Sequence, residues 1–266
     1  MLNPTRRRCA ITRPRSTGMR YAVAWSGALL LAAGLCQSVR AAGPGELVAP
    51  APASLPLSVA LAAKHADFGT ETVASEARDI ADWVVDAGDN HAMPFIVIDK
   101  AAARAYVFDL HGKLSGAANV LLGLGRGDDT VPGIGNRKLS TIRPEERTTP
   151  AGRFIASLDR NLHGEEILWI DYDAAISLHR VITTNPKEHR SARLASTSLL
   201  DKRISFGCIN VPAAFYDRFI SPTFKRTSGV VYVLPETRPA RALFGAYDVD
   251  EQARLRIAKA ALATTH

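Results

Sequence analysis

Phe95-Ile96-Val97-Ile98-Asp99 is followed, after Lys100-Ala101-Ala102-Ala103, by Arg104-Ala105-Tyr106-Val107-Phe108. A His111-Gly112-Lys113 turn then leads into Leu114 to Gly123. Short runs rich in β-branched and aromatic residues, divided by turn residues, read as strands of a meander. The same grain returns downstream. Thr149-Pro150-Ala151-Gly152-Arg153-Phe154 reads as a turn entering a strand. Glu166 to Tyr172, Ala174 to Val181 and Gly229 to Leu234 read as three further strands. Short strands with tight turns predict a mainly β fold, an antiparallel β-sandwich or barrel with a few peripheral helices. The helices expected are Ser75 to Ala87, with Ser75 able to cap, then Ala213 to Ile220, then Asp248 to Ala263. Leu255, Ile257, Ala258, Ala261 and Leu262 would give the last of these an apolar side. The long loop 124–147 is of a length that often carries function. Its Asp128-Asp129 pair reads as a solvated turn, since nothing supplies the remaining ligands of a metal site.

Before the β region the grain is different. Residues 1–20 carry Arg6, Arg7, Arg8, Arg13, Arg15 and Arg20 and no acid, and Tyr21 to Cys36 form an apolar run. Val39-Arg40-Ala41 places small residues where a signal peptidase reads them, so residues 1–41 read as a signal peptide, with Met19 a second candidate start. The apolar run of about 15 residues is short for a spanning helix. The expectation is an exported, periplasmic or cell-envelope protein with no stable membrane span after cleavage. Residues 42–92 read as a Pro/Ala-rich tether, densest over 43–57, and an N-terminal helix. Residues 93–236 read as the principal domain, and 237–266 as a C-terminal extension with a helix. The chain has 33 Lys+Arg and 26 Asp+Glu, a net charge of +7. The first 41 residues contain seven Arg and no acid, which leaves 26 of each sign beyond them. The basic excess belongs to the leader and gives no reason to expect nucleic acid.

Cys9 and Cys36 would leave with the leader, so Cys208 becomes the single thiol. It lies in Ser205-Phe206-Gly207-Cys208-Ile209-Asn210-Val211, between a strand-like Arg203-Ile204 and a helix-like run after Pro212. One reading is a buried structural cysteine. The other is a nucleophile on a tight turn, where Gly207 lets backbone approach, turn N–H groups face an oxyanion, and a helix N-terminus favours the thiolate. An odd cysteine in an oxidising compartment favours the second. A thiol nucleophile needs a base. Of the seven His, His65, His91, His111, His163 and His266 lie in extensions, turns or loops. His179 ends a strand and His189 sits in a polar loop. A strand end is rigid scaffold that opens onto loops, so His179 is the stronger candidate for general base and proton donor.

The Ser205-Phe206-Gly207-Cys208-Ile209-Asn210 stretch resembles the signature of the L,D-transpeptidase catalytic-domain family, which remodels bacterial peptidoglycan. Thr149 to Phe154 resembles that family's Thr-Pro-x-Gly-x-Phe turn, and Phe95 to Gly123 its opening meander. Leu178-His179 sits where the family carries its catalytic histidine. The resemblance spans roughly residues 93–235 and implies a divergent member. Phe206 stands where the family has an auxiliary histidine, and Arg180 where it has the glycine after the catalytic one. In the family a backbone carbonyl at that step orients the imidazole. The His179 to Cys208 interval is longer than usual. Its added residues 183–203 include Lys187, Arg190, Arg193, Lys202 and Arg203, which read either as a basic lid that meets substrate carboxylates or as a solvated insertion.

The resemblance implies ping-pong acyl transfer. The Cys208 thiolate attacks a tetrapeptide-stem carbonyl in peptidoglycan, expels the terminal D-amino acid, and passes the acyl group to an amine. Gly207, Ser205, Asn210 and Arg180 would serve substrate and oxyanion. Carbapenem-type inhibitors are expected to acylate Cys208. No metal or organic cofactor is implied. Two rivals stand beside it: an L,D-carboxypeptidase or endopeptidase on the same scaffold, and a catalytically silent peptidoglycan-binding domain.

Overall fold

Period-two alternation sorts the strand residues into two cores, one on each side of a single sheet. On β1 (Phe95–Asp99), Ile96 and Ile98 join one core while Phe95 and Val97 join the other. On β2 (Arg104–Phe108), Ala105 and Val107 pair with the first and Tyr106 and Phe108 with the second. On β10 (Gly229–Val233), Val231 and Val233 split from Val230 and Tyr232 in the same way. Successive side chains of a strand point to opposite faces, so strands covered on both faces become continuous apolar runs. The computed structural model describes residues 61–264; the leader and tether expectations, with Cys9, Cys36 and His266, lie outside them.

The remaining strands are β3 (Leu114–Asn119), β4 (Leu122–Gly123), β5 (Gly152–Arg160), β6 (Glu166–Asp171), β7 (Ile176–Arg180), β8 (Arg203–Ser205) and β9 (Ile209–Val211). Eight of the ten form one sheet in the order β3-β2-β1-β10-β5-β6-β7-β9, and β4 pairs with β8 in a second. Leu121 bridges to Asn210 through two backbone hydrogen bonds of 2.9 Å, tying the chain after β3 back to β9. The sheet is thereby a near-closed barrel.

The expected antiparallel, mainly β fold is corrected to a mixed one. β1 pairs β10, β4 pairs β8 and β7 pairs β9 in parallel. A parallel pair needs a long crossover, and helices supply it. The β7–β9 crossover carries α2 (Arg190–Ala195). Between β9 and β10 run α3 (Ala213–Phe215), a π-helical stretch Tyr216–Ile220 and α4 (Ser221–Phe224). With α1 (Ser75–Ala87), α5 (Ala240–Phe244), α6 (Val249–Ala263) and several 3₁₀ turns, helical residues at least match strand residues in number.

α1 spans Ser75–Ala87, buries Ala77, Ile80, Ala81, Trp83 and Val84, and ends on left-handed Gly88. Its N-cap is Ala74, so Ser75 is the first helical residue and not the cap. In α6, Asp248 caps by accepting from Glu251 N, and burial falls on Val249 and Ala253. Leu255, Ile257 and Leu262 are exposed, so the expected apolar side does not pack. The strand expected over Leu114 to Gly123 breaks after Asn119, because Gly123 leaves the main sheet to pair with β8. No helix among the described residues is long and apolar enough to cross a membrane.

Candidate active site

Cys208 lies in the turn between β8 and β9. The turn depends on Gly207, whose φ is +124°. A Cβ there would lie 2.6 Å from both Thr148 O and Ile176 Cδ1, so only glycine fits. Buried hydrogen bonds then fix the loop. Ser205 Oγ accepts from Gly207 N at 3.0 Å and donates to Cys208 O at 2.6 Å. Asn210 Nδ2 donates to Cys208 O at 3.3 Å. Thr149 Oγ1 donates to Gly207 O at 2.8 Å and accepts from Gly123 N at 2.9 Å.

The half-buried thiol meets strand β7 and the turn before it. Ser177 Oγ stands 3.7 Å and Ala175 O 3.6 Å from Cys208 Sγ. Ala175 holds a left-handed φ of +57°, a strained setting for a residue with a Cβ. Ser177 and His179 are two apart on β7, so both point to one face while Ile176 and Leu178 enter the core. The parallel register sets His179 opposite Asn210.

The His179 ring is buried, and its Nδ1 lies 2.7 Å from Arg180 O. A carbonyl only accepts, so Nδ1 carries the hydrogen and the neutral ring keeps its lone pair on Nε2. Nε2 faces Asn210 Nδ2 at 3.5 Å, a long contact. Asn210 is itself fully buried, and its Oδ1 accepts from Arg190 Nη1.

Ser205, Gly207, Cys208 and Asn210 thus share one hydrogen-bonded turn, and Asn210 Nδ2 lies between Cys208 O and His179 Nε2. Arg180 contributes its carbonyl only. Strand alternation turns its guanidinium to the face opposite His179. There it binds Asp217 at 2.6 Å, approaches Glu166 and stacks 4.1 Å over the Tyr216 ring. The Gly207 amide, expected to face an oxyanion, is engaged by Ser205. The helix expected to polarise the thiol begins at Ala213, after β9, so a strand separates the two. Phe206 packs on the core with the Arg147 guanidinium 4.1 Å above its ring. His189 is an exposed left-handed residue at the head of α2.

Sequence reasoning missed three contributors. Ser177 was available from the period of two around His179. Thr149 lay inside the quoted turn, but its bridge from Gly123 to Gly207 joins segments 26 and 58 residues away. Arg190 belonged to the basic 183–203 segment. Most of that segment's cations serve the chain itself. Arg193 caps Glu188 O and Asp201 O, buried Lys202 caps Arg193 O and Leu194 O, and Arg203 pairs with Glu236.

Asp128 corrects the solvated-turn expectation. It is buried and accepts from Lys100 Nζ at 2.9 Å, Glu236 N at 2.7 Å and Thr237 N at 2.9 Å. Lys100 is fully buried and also donates to Gly127 O and Thr149 O. Burial pushes the Lys100 ammonium down and opposes ionisation of Asp128, but hydrogen bonds from Thr237 and Lys100 bring the Asp128 carboxyl to about 2. Among the described residues no group of three or more His, Cys, Asp or Glu is placed to hold a metal ion.

No family model matches the sequence, and no curated protein matches it. Solved structures do. The helical cell shape determining protein Pgp2 from Campylobacter jejuni is 15% identical over 67% of this chain and 60% of its own, with a TM-score of 0.39. An L,D-transpeptidase from Enterococcus faecium is 17% identical over 53% of this chain and 50% of its own, with a TM-score of 0.30. One from Xylanimonas cellulosilytica is 15% identical over 53% of this chain and 60% of its own, with a TM-score of 0.32. This chain spans less than two thirds of the length of each of these three proteins. Over part of its length the chain is similar in structure to these L,D-transpeptidase and Pgp2 structures.

Proposed function

We propose that this chain is a cysteine acyltransferase of the L,D-transpeptidase type, acting on peptidoglycan tetrapeptide stems in the cell envelope. The observation that carries the reading is the Gly207–Cys208 turn set against a strand face bearing Ser177 and His179. There, His179 Nδ1 is pinned by the Arg180 carbonyl. His179 Nε2 accepts the thiol proton, and the sulfur electron pair attacks the stem carbonyl carbon. The tetrahedral oxyanion collapses, the C–N bond breaks, and His179 returns the proton to the leaving amine. A second amine then attacks the thioester and gives a proton to His179, the C–S bond breaks, and His179 returns that proton to sulfur to regenerate the thiol. Asn210 Nδ2, already between Cys208 O and His179 Nε2, is a side-chain donor within reach of the turn. For this sequence of steps the Asn210 contact at Nε2 has to yield to the thiol.

That contact also favours a second reading, a silent domain that holds peptide stems without turning them over. Intact mass with a carbapenem separates the two. The wild-type chain is expected to gain a covalent adduct that Cys208→Ala lacks. His179→Ala is expected to form it about a hundredfold more slowly, the lower range for loss of a general base. A folded wild-type chain that forms no adduct would put the binding reading first. With the adduct in hand, a disaccharide-tetrapeptide assay with added D-amino acid distinguishes transfer from hydrolysis.

A further inference from the structure

We infer that Arg190 is a positioning residue for His179, acting through the side chain of Asn210; the inference rests on the acyl-transfer reading above. A guanidinium only donates, so the Arg190 Nη1 contact turns Asn210 Oδ1 outward. The amide NH₂ then faces inward, 3.5 Å from His179 Nε2 and 3.3 Å from Cys208 O. A donor at Nε2 favours the neutral imidazole and opposes the imidazolium. An amide turned the other way would present oxygen to Nε2 and favour the charged ring. Arg190 thereby fixes which end of the Asn210 amide His179 Nε2 meets.

Arg190 is well placed for this. Its side chain is 14% exposed and its Nε donates to Glu188 Oε2 at 2.6 Å. α2 is moored at its far end, where Leu194 O accepts from Asn119 Nδ2 at 3.0 Å and from Lys202 Nζ at 2.8 Å. The 183–203 segment is thus a fixed wall, and Arg190 is its contact with the site. The groups around the imidazole come from several elements. β9 brings neutral Asn210, whose amide also meets the Cys208 carbonyl of the β8–β9 turn, and α2 brings Arg190 with Glu188 just before it. The Arg180 guanidinium lies on the other face with Asp217 and Glu166.

The test follows the His179 ring resonances of the full chain against pH by NMR, assigned with His179→Gln. Arg190→Ala is expected to raise the His179 midpoint by about half a pH unit or more. Arg190→Lys keeps the charge but not the planar fork, and is expected to give part of that rise. Removing a nearby cation would itself favour the imidazolium, so the measurement is made as a double-mutant cycle. In an Asn210→Ala background only the direct charge effect remains, so the Arg190→Ala shift should be clearly smaller if most of it travels through the amide. An equal shift in both backgrounds overturns the inference, as does no shift in Arg190→Ala. Arg193→Ala, which loosens the same segment without touching Asn210, should leave the midpoint in place; a matching shift there also overturns it. The two readings fail separately. Absence of a carbapenem adduct on wild type sinks acyl transfer while the His179 midpoint still reports on Arg190.

Discussion

Replacing Asp128 with Asn should cost this protein much of its stability, although Asp128 lies in a loop that reads as solvent-exposed. The substitution keeps shape and removes the charge opposite Lys100, whose ammonium is wholly buried. Breaking a buried pair from one side costs about 3–5 kcal/mol. Glu236 Oε1 remains 3.8 Å from Lys100 Nζ, which argues for the lower end, about 3 kcal/mol. Proton linkage gives a similar figure. The carboxyl falls from 3.8 to about 2 on folding, which corresponds to roughly 2 kcal/mol near neutral pH. In a domain of this size that is a fall in Tm of about 6–12 °C.

The sign with pH is fixed. A depressed folded value contributes fully above the unfolded carboxyl range and is lost as pH falls through about 2. The gap between wild type and Asp128→Asn, followed by circular dichroism, should therefore be widest at neutral pH and close between about pH 4 and pH 2. Adding Lys100→Met to Asp128→Asn should recover stability, because the unpaired charge is then gone. An Asp128→Asn protein that melts within about 2 °C of wild type at pH 7 would refute the account. So would a double variant less stable than Asp128→Asn.

Two further outcomes follow from the same contacts. Thr149→Val keeps volume but leaves Gly123 N and Gly207 O without their buried partner, so it should cost about 1–3 kcal/mol and slow alkylation of Cys208, read by unfolding and by iodoacetamide kinetics. His65 bridges Asp82 on α1 and Asp250 on α6 at 3.1 and 3.2 Å. The hydrogen bond to Asp82, reinforced by the charges of Asp82 and Asp250, raises its pKa above the usual histidine value. Stability from a raised group is present below its unfolded value and lost as pH rises through the folded one, so α6 amides should exchange faster at pH 8.5 than intrinsic rates require. His65→Gln should abolish that difference, and high salt should weaken it because His65 and Asp250 are exposed.

Much of the architecture was legible in short runs. Phe95–Asp99, Arg104–Phe108 and Ser75–Ala87 carry their period in adjacent residues, and the structure has those elements with those bounds. What was hidden is what depends on distant partners. The parallel pairing of β7 with β9 is set by a crossover and not by the strands' own residues. The exposed flank of α6 looked amphipathic because Leu255, Ile257 and Leu262 are apolar, yet the buried contacts fall on Val249 and Ala253. At the site, Cys208 and His179 stood out by residue type. Asn210, Ser205 and Gly207 were legible beside the cysteine in the same turn, whereas Thr149 acts through hydrogen bonds across the fold, and a threonine gives no local sign of which backbone it will meet.

The strand order carries one more consequence, for the way the chain comes together. β10 is the last strand in sequence, yet it sits in the middle of the main sheet, parallel to β1 and antiparallel to β5. Before residues 229–233 arrive, the β4–β8 pair and the Leu121–Asn210 bridge tie the β1–β3 meander to the β5–β6–β7–β9 lobe, but the strand between β1 and β5 is missing. β1 and the first half of β5 then each present an unpaired edge, the kind that recruits other chains. The thiol turn belongs to one lobe, while Gly123, which helps hold Thr149 against that turn, follows the other. The main sheet is completed only by its last strand in sequence, and until that strand is in place the open edges keep the chain exposed to aggregation.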